Sequence, residues 1–199
     1  MRFPTFAAFA LLFAAMYAAF GVASPFWPLF FESRGLLPEQ LGLLLAAGTI
    51  VRLLVGPLAG RISDMLGALR AVLATSVALA VIAALGLLPA QSYLALMIIA
   101  CCQAGALAPV TTTADALAVH ASTRNSGPTG FEYGWVRGVG SAAFVIGTLF
   151  AGQMLTLNSL EPSILVWLHA ALLSGAIVGA ALVPSIRLSK SRRRNTPSP

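Results

Sequence analysis

Six apolar stretches, each long enough to cross a lipid bilayer and nearly free of charge, constrain this 199-residue chain more than any motif in it. They cover about residues 5–31, 41–60, 71–89, 93–119, 133–157 and 163–184. A helix needs roughly 20 apolar residues to span the hydrocarbon, and every backbone polar group there must be paired inside the segment, so the stretches are expected to be helices. Pro25, Pro28, Pro57 and Pro109 do not argue against this, because neighbouring helices re-satisfy the backbone groups that a proline frees. Apolar residues supply 58% of the chain and charged residues 9%, with a mean hydropathy of +0.89. A water-soluble domain so composed could not cover its own surface. The expected fold class is therefore an all-α integral membrane protein. Residues 1–186 form its six-helix unit, and residues 187–199 form a basic, disordered tail rich in Ser, Arg and Pro with nothing to bury.

Arg2, the apolar run from Phe6 to Phe20 and the small residues Val22-Ala23-Ser24 have the outline of a secretory signal. The run continues through Pro25-Phe26-Trp27-Pro28-Leu29-Phe30-Phe31, which is long for a signal and sufficient for a span.

Charge orients the bundle. With the amino terminus inside, Arg2, Arg61, Arg70, Arg124, Arg187, Lys190 and Arg192-Arg193-Arg194 fall on the cytoplasmic side, while Arg34, Glu32, Glu39 and Glu161 fall outside. This is the positive-inside asymmetry, and it leaves both termini in the cytoplasm of an inner-membrane protein. The net charge of +6 comes largely from the tail, so an anchor near anionic lipid explains it better than nucleic acid does.

Between the second and third stretches lies the polar break Gly60-Arg61-Ile62-Ser63-Asp64-Met65-Leu66-Gly67-Ala68-Leu69-Arg70. Gly60 is expected to let two helix ends approach, Asp64 to cap the partial positive charge of the next helix, and Gly67 to make a tight turn before Arg70.

Ionisable groups inside spans cost about 2.5–3.5 kcal/mol on insertion scales unless a partner or a wet cavity receives them. Arg52, Asp115 and Arg137 are the candidates. Arg52 either snorkels to the membrane surface or serves a site. Asp115 and Arg137 lie at comparable depth on consecutive antiparallel helices and can face each other, either as a salt bridge or as an acid and a guanidinium around a polar substrate. Adjacent Cys101 and Cys102 point about 100° apart on a helix, so neither a disulfide between them nor a metal site is expected. With no nucleotide loop or zinc spacing either, no cofactor is expected. Gly138, Gly140, Gly147, Gly175 and Gly179 permit close helix contact. A six-helix intramembrane hydrolase using Ser141 and His169 conflicts with their different depths on adjacent helices. A purely structural membrane module leaves the three intramembrane charges unexplained.

Gly60-xxx-Asp64-xx-Gly67-xx-Arg70 resembles the loop between helices two and three of the major facilitator superfamily. Arg52-Leu53-xx-Gly56-Pro57, Ala114-Asp115-Ala116-Leu117 and Phe131-Glu132-Tyr133-Gly134-xx-Arg137 are similar to its lactose-permease and phenylpropionate-permease branch. The resemblance implies a proton symporter of a small organic solute that works by alternating access. Asp115 and Arg137, joined by Arg52, would bind substrate; Gly60, Asp64, Gly67 and Arg70 would belong to a cytoplasmic gate; Glu132 and Gly134 would belong to the helix-five motif. Met65 and Ala68 stand where the family usually has basic residues, Trp135 replaces a basic residue common in the sugar permeases of the branch, and Asp115 is shorter than their glutamate. An aromatic acid such as phenylpropionate is therefore favoured over a sugar or nucleoside. The superfamily uses twelve helices in two halves with the site between them. This chain is expected to be one half, whether truncated or a half-transporter, needing a second six-helix half or another copy to complete the site.

Overall fold

The computed structural model describes residues 5–124, 131–157 and 161–183, apart from the side chains of Asp64, Leu66 and Arg124. The tail at 187–199, with its Arg192-Arg193-Arg194, lies outside the described residues. Seven helices are present among the described residues: α1 (Thr5–Ala23), α2 (Trp27–Ser33), α3 (Pro38–Leu66), α4 (Leu69–Gly86), α5 (Tyr93–Arg124), α6 (Tyr133–Leu157) and α7 (Ser163–Leu182). All but the short α2 are long and apolar enough to cross a membrane.

The first expected span, 5–31, is not one helix. Its chain breaks after Ala23, where Pro25 disfavours helical geometry at Ser24, and restarts as α2 with a proline in its first turn. Conversely, α3 runs through most of the expected polar loop and ends only at Leu66. Asp64 thus belongs to the last turn of α3, and the residue in the N-cap position of α4 is Ala68, which makes no side-chain cap. Gly67 does make the turn. It adopts φ +59° and its N–H donates to the Ser63 carbonyl at 3.0 Å, a left-handed C-cap that costs a glycine little. The close approach expected at Gly60 is not seen among the described residues, none of which lies within 4 Å of a Cβ built there.

The helices pack in an arc with the order α3–α5–α4–α7–α1–α6. Phe9, Leu12, Phe13 and Met16 of α1 are fully buried in the main core, with Leu73 of α4, Leu117 of α5 and Leu173 of α7. Small residues set the spacing around α1. A Cβ on Gly147 of α6 would stand 2.6 Å from the Ala18 carbonyl oxygen, and one on Gly179 of α7 would stand 2.8 Å from the Leu12 Cα. Gly140 leaves room for the Tyr17 ring, whereas Gly138 meets none of the described residues within 4 Å and Gly175 makes only ordinary contact with Ala15. The end members of the arc bury the smallest shares of their apolar stretches, 6% for α3 and 22% for α6, against 50% for α1. Leu53, Leu54 and Leu58 of α3 and Ile146 and Leu149 of α6 are consequently exposed.

Candidate functional site

Asp115 sits nine residues before the end of α5, and Arg137 one turn into α6, so the hairpin brings both to the same level of the bundle. The Arg137 Nη1 lies 3.6 Å from the Asp115 Oδ1. The Tyr133 hydroxyl donates to the same oxygen at 2.9 Å. Tyr133 and Arg137 are four residues apart and therefore share a face of α6, which explains how both reach one carboxylate. The guanidinium also lies over the Tyr17 ring of α1, 4.6 Å from its centroid, in a cation–π contact. Gly140 permits this close approach of Tyr17. The pair is not sealed: the side chains of Arg137 and Asp115 are 44% and 34% exposed, so both charges can meet a solute.

Arg52 is placed elsewhere. It lines an open cavity of about 530 Å³ formed by residues of α1, α2, α3, α5, α6 and α7. That volume suits a small organic molecule. Phe20, Trp27, Phe31 and Phe144 supply aromatic wall, while Thr49, Gln103, Thr111 and His169 add polar groups. Among the described residues, no hydrogen-bond acceptor or carboxylate holds the exposed Arg52 guanidinium.

The cavity and the ion pair are neighbours along the helices. Thr111 lines the cavity one turn before Asp115, about 6 Å of helix rise. Phe20, another lining residue, packs edge-on against Tyr17 with ring centroids 5.7 Å apart. Of the three expected substrate residues, Asp115 and Arg137 are thus brought together, and Arg52 stands in an adjoining chamber.

Two participants were not singled out from the sequence as site residues. One is Tyr133, which lay inside the motif around Arg137 and whose i, i+4 spacing from Arg137 was the available signal. The other is Gln103, 4% exposed, whose Nε2 lies 3.0 Å from the Nε2 of His169. His169 itself is fully buried, with its Nδ1 2.9 Å from the Ala19 carbonyl oxygen. The partners of His169 are therefore Gln103 and the α1 backbone, not Ser141.

The remaining motif residues lie toward the α3–α4 turn and the start of α6. Arg70 donates through Nη2 to the Ala181 carbonyl in the last turn of α7, where a cation also complements the helix dipole. Glu132 and Gly134 are exposed, and none of the described residues lies within 4 Å of a Cβ built on Gly134. The Asp64 carboxylate lies outside the described residues.

Residues 7–195 match the profile of the MFS_1 like family. The chain is also 33% identical over 160 residues to a protein of Escherichia coli (strain K12) named "Probable 3-phenylpropionic acid transporter". That match covers 74% of this chain and 38% of the relative, so the chain spans well under half the relative's length. The six membrane-crossing helices and the match along nearly the whole sequence place this multi-pass membrane protein in the MFS_1 like family of the major facilitator superfamily.

Proposed function

We propose that this chain is the substrate-holding six-helix unit of a secondary transporter for a small organic acid, with an aromatic acid such as phenylpropionate favoured over a sugar or nucleoside. The observation that carries the reading is the cavity of about 530 Å³ in which the Arg52 guanidinium, without a partner among the described residues, stands beside aromatic walls. A planar guanidinium binds a carboxylate through two parallel hydrogen bonds, and aromatic side chains stack on an aromatic ring. The name of the Escherichia coli relative supports the same class of substrate.

In this reading Asp115 and Arg137 hold one another when the site is empty and exchange partners as solute moves from the cavity toward the α3–α4 end. Their exposure and the short step from Thr111 to Asp115 support that path. The Gly60–Arg70 segment contributes one side of a gate at the cytoplasmic face of the inner membrane, with both termini on that face. Proton symport by alternating access is part of the proposal, and its support is the resemblance of the motifs to the proton-coupled branch. A second six-helix unit, on the same or another polypeptide, covers the open side between α3 and α6; the exposed apolar residues of these two helices support it.

The test is accumulation of labelled phenylpropionate in proteoliposomes under an inward proton gradient. The chain with a second six-helix unit is expected to accumulate it, and the chain alone is not. Accumulation by the chain alone contradicts the need for a second unit, and accumulation indifferent to the gradient contradicts symport.

A further inference from the structure

His169 has no visible role in holding a carboxylate, yet it is fully buried against the cavity and engaged at both ring nitrogens. The two contacts fix a hydrogen-bond polarity. A backbone carbonyl only accepts, so the Nδ1 that lies 2.9 Å from the Ala19 oxygen carries the hydrogen. In the neutral imidazole Nε2 is then an acceptor, and the Gln103 amide must turn its NH2 toward it across 3.0 Å. The orientation of Gln103 is thus set by the backbone of α1 through the imidazole. Trp27 packs edge-on against the same imidazole, with ring centroids 5.6 Å apart, and helps to hold it.

The amide keeps one acceptor, Oε1, and one N–H without a partner among the described residues, and the side chain lines the cavity. An unsubstituted ring seated there removes solvent from these groups and pairs neither. A hydroxyl on the ring pairs either one, by donating to Oε1 or accepting from the N–H. Gly48, one turn before Arg52 on α3, meets Ala104, the residue after Gln103, at 3.6 Å from a Cβ built on it, so the amide and the guanidinium belong to neighbouring parts of one chamber.

We propose that Gln103 is a specificity-determining residue, held by His169 as a positioning residue, and that together they select a hydroxyl-bearing aromatic acid over its unsubstituted parent. The inference rests on the organic-acid reading for the carboxylate end of the ligand only.

The experiment compares binding of phenylpropionate and of para- and meta-hydroxyphenylpropionate to the full chain in nanodiscs, by isothermal titration calorimetry. One net hydrogen bond corresponds to about fivefold in affinity, so at least one hydroxylated acid is expected to bind about fivefold more tightly than phenylpropionate. Gln103→Met is expected to bring the ratio close to one, and His169→Phe to reduce it. Arg52→Gln is expected to weaken all three acids and keep the ratio. Equal affinities in the unaltered chain, or a ratio that survives Gln103→Met, overturn the proposal, and the first needs no variant to fold. Unchanged affinities in Arg52→Gln count against the carboxylate reading while the ratio still decides the role of Gln103. If no acid binds, para-ethylphenol and its methyl ether replace them: a preference for the phenol that Gln103→Met removes supports Gln103 and rejects the acid reading. Equal binding of that pair, or no binding of any ligand, overturns the role of Gln103.

Discussion

Arg137 and Asp115 meet across the α5–α6 hairpin at 3.6 Å, with the Tyr133 hydroxyl on the same carboxylate oxygen and the Tyr17 ring beneath the guanidinium. The pair is more than one-third exposed on both sides, so neither charge is sealed into the packing of the helices. In the proposed reading the Arg137 guanidinium is worth more to a bound carboxylate than to the fold, and Asp115 holds it when no solute is bound. Asp115→Asn and Arg137→Gln are each expected to shift thermal unfolding in detergent only slightly and to lower transport by the assembled transporter about tenfold or more. A double-mutant cycle on unfolding checks the first part, and uptake checks the second. Large destabilisation with unchanged uptake reduces the pair to a structural bridge.

Tyr133→Phe removes one donor from Asp115 and leaves the ring contact with Phe13 in place. One neutral donor to a partly exposed carboxylate is worth about 1 kcal/mol, so transport is expected to fall about fivefold while the helical signal by circular dichroism is retained. Full transport activity in Tyr133→Phe removes the hydroxyl from the site.

Gly147 and Gly138 lie on one helix in opposite surroundings. Gly147→Ala drives a methyl group against the α1 backbone at Ala18 and is expected to cost about 1–3 kcal/mol in unfolding free energy. Gly138→Ala meets none of the described residues within 4 Å and is expected to be neutral or to stabilise α6 by up to about 1 kcal/mol. Equal unfolding temperatures for the two variants contradict the close α1–α6 packing.

Gly67→Ala places a Cβ at φ +59°, which costs about 1–2 kcal/mol for a residue that is not glycine. The unfolding midpoint of this variant is expected to fall accordingly, and an unchanged midpoint contradicts the left-handed cap.

The spans were legible because an uncharged stretch of about 20 residues has few alternatives to a membrane helix. Their ends were less so. Ser24-Pro25 divides the first span because α2 packs its Phe30 and Phe31 with Leu44 and Leu96 in a separate cluster, a tertiary choice that hydropathy does not register. The Arg61–Leu66 stretch is helical although it carries charge, because polar side chains at the end of a long helix need only reach past its last turn. The facing of Asp115 and Arg137 followed from hairpin geometry, and Tyr133 could have been found by the same i, i+4 reasoning. Gln103 could not, because its significance depends on His169, 66 residues away in sequence, and on the Ala19 carbonyl of a third helix. Gly60 illustrates the converse: the motif is present, but among the described residues no close approach to it occurs.

Equilibrium binding of labelled phenylpropionate to the full chain in nanodiscs, with and without Arg52→Gln, tests the central claim most directly. The unaltered chain is expected to bind saturably, and loss of the charge-assisted contact is expected to weaken binding about tenfold or more. Absence of saturable binding, or the same affinity without the guanidinium, contradicts the assignment of the Arg52 cavity as the organic-acid site.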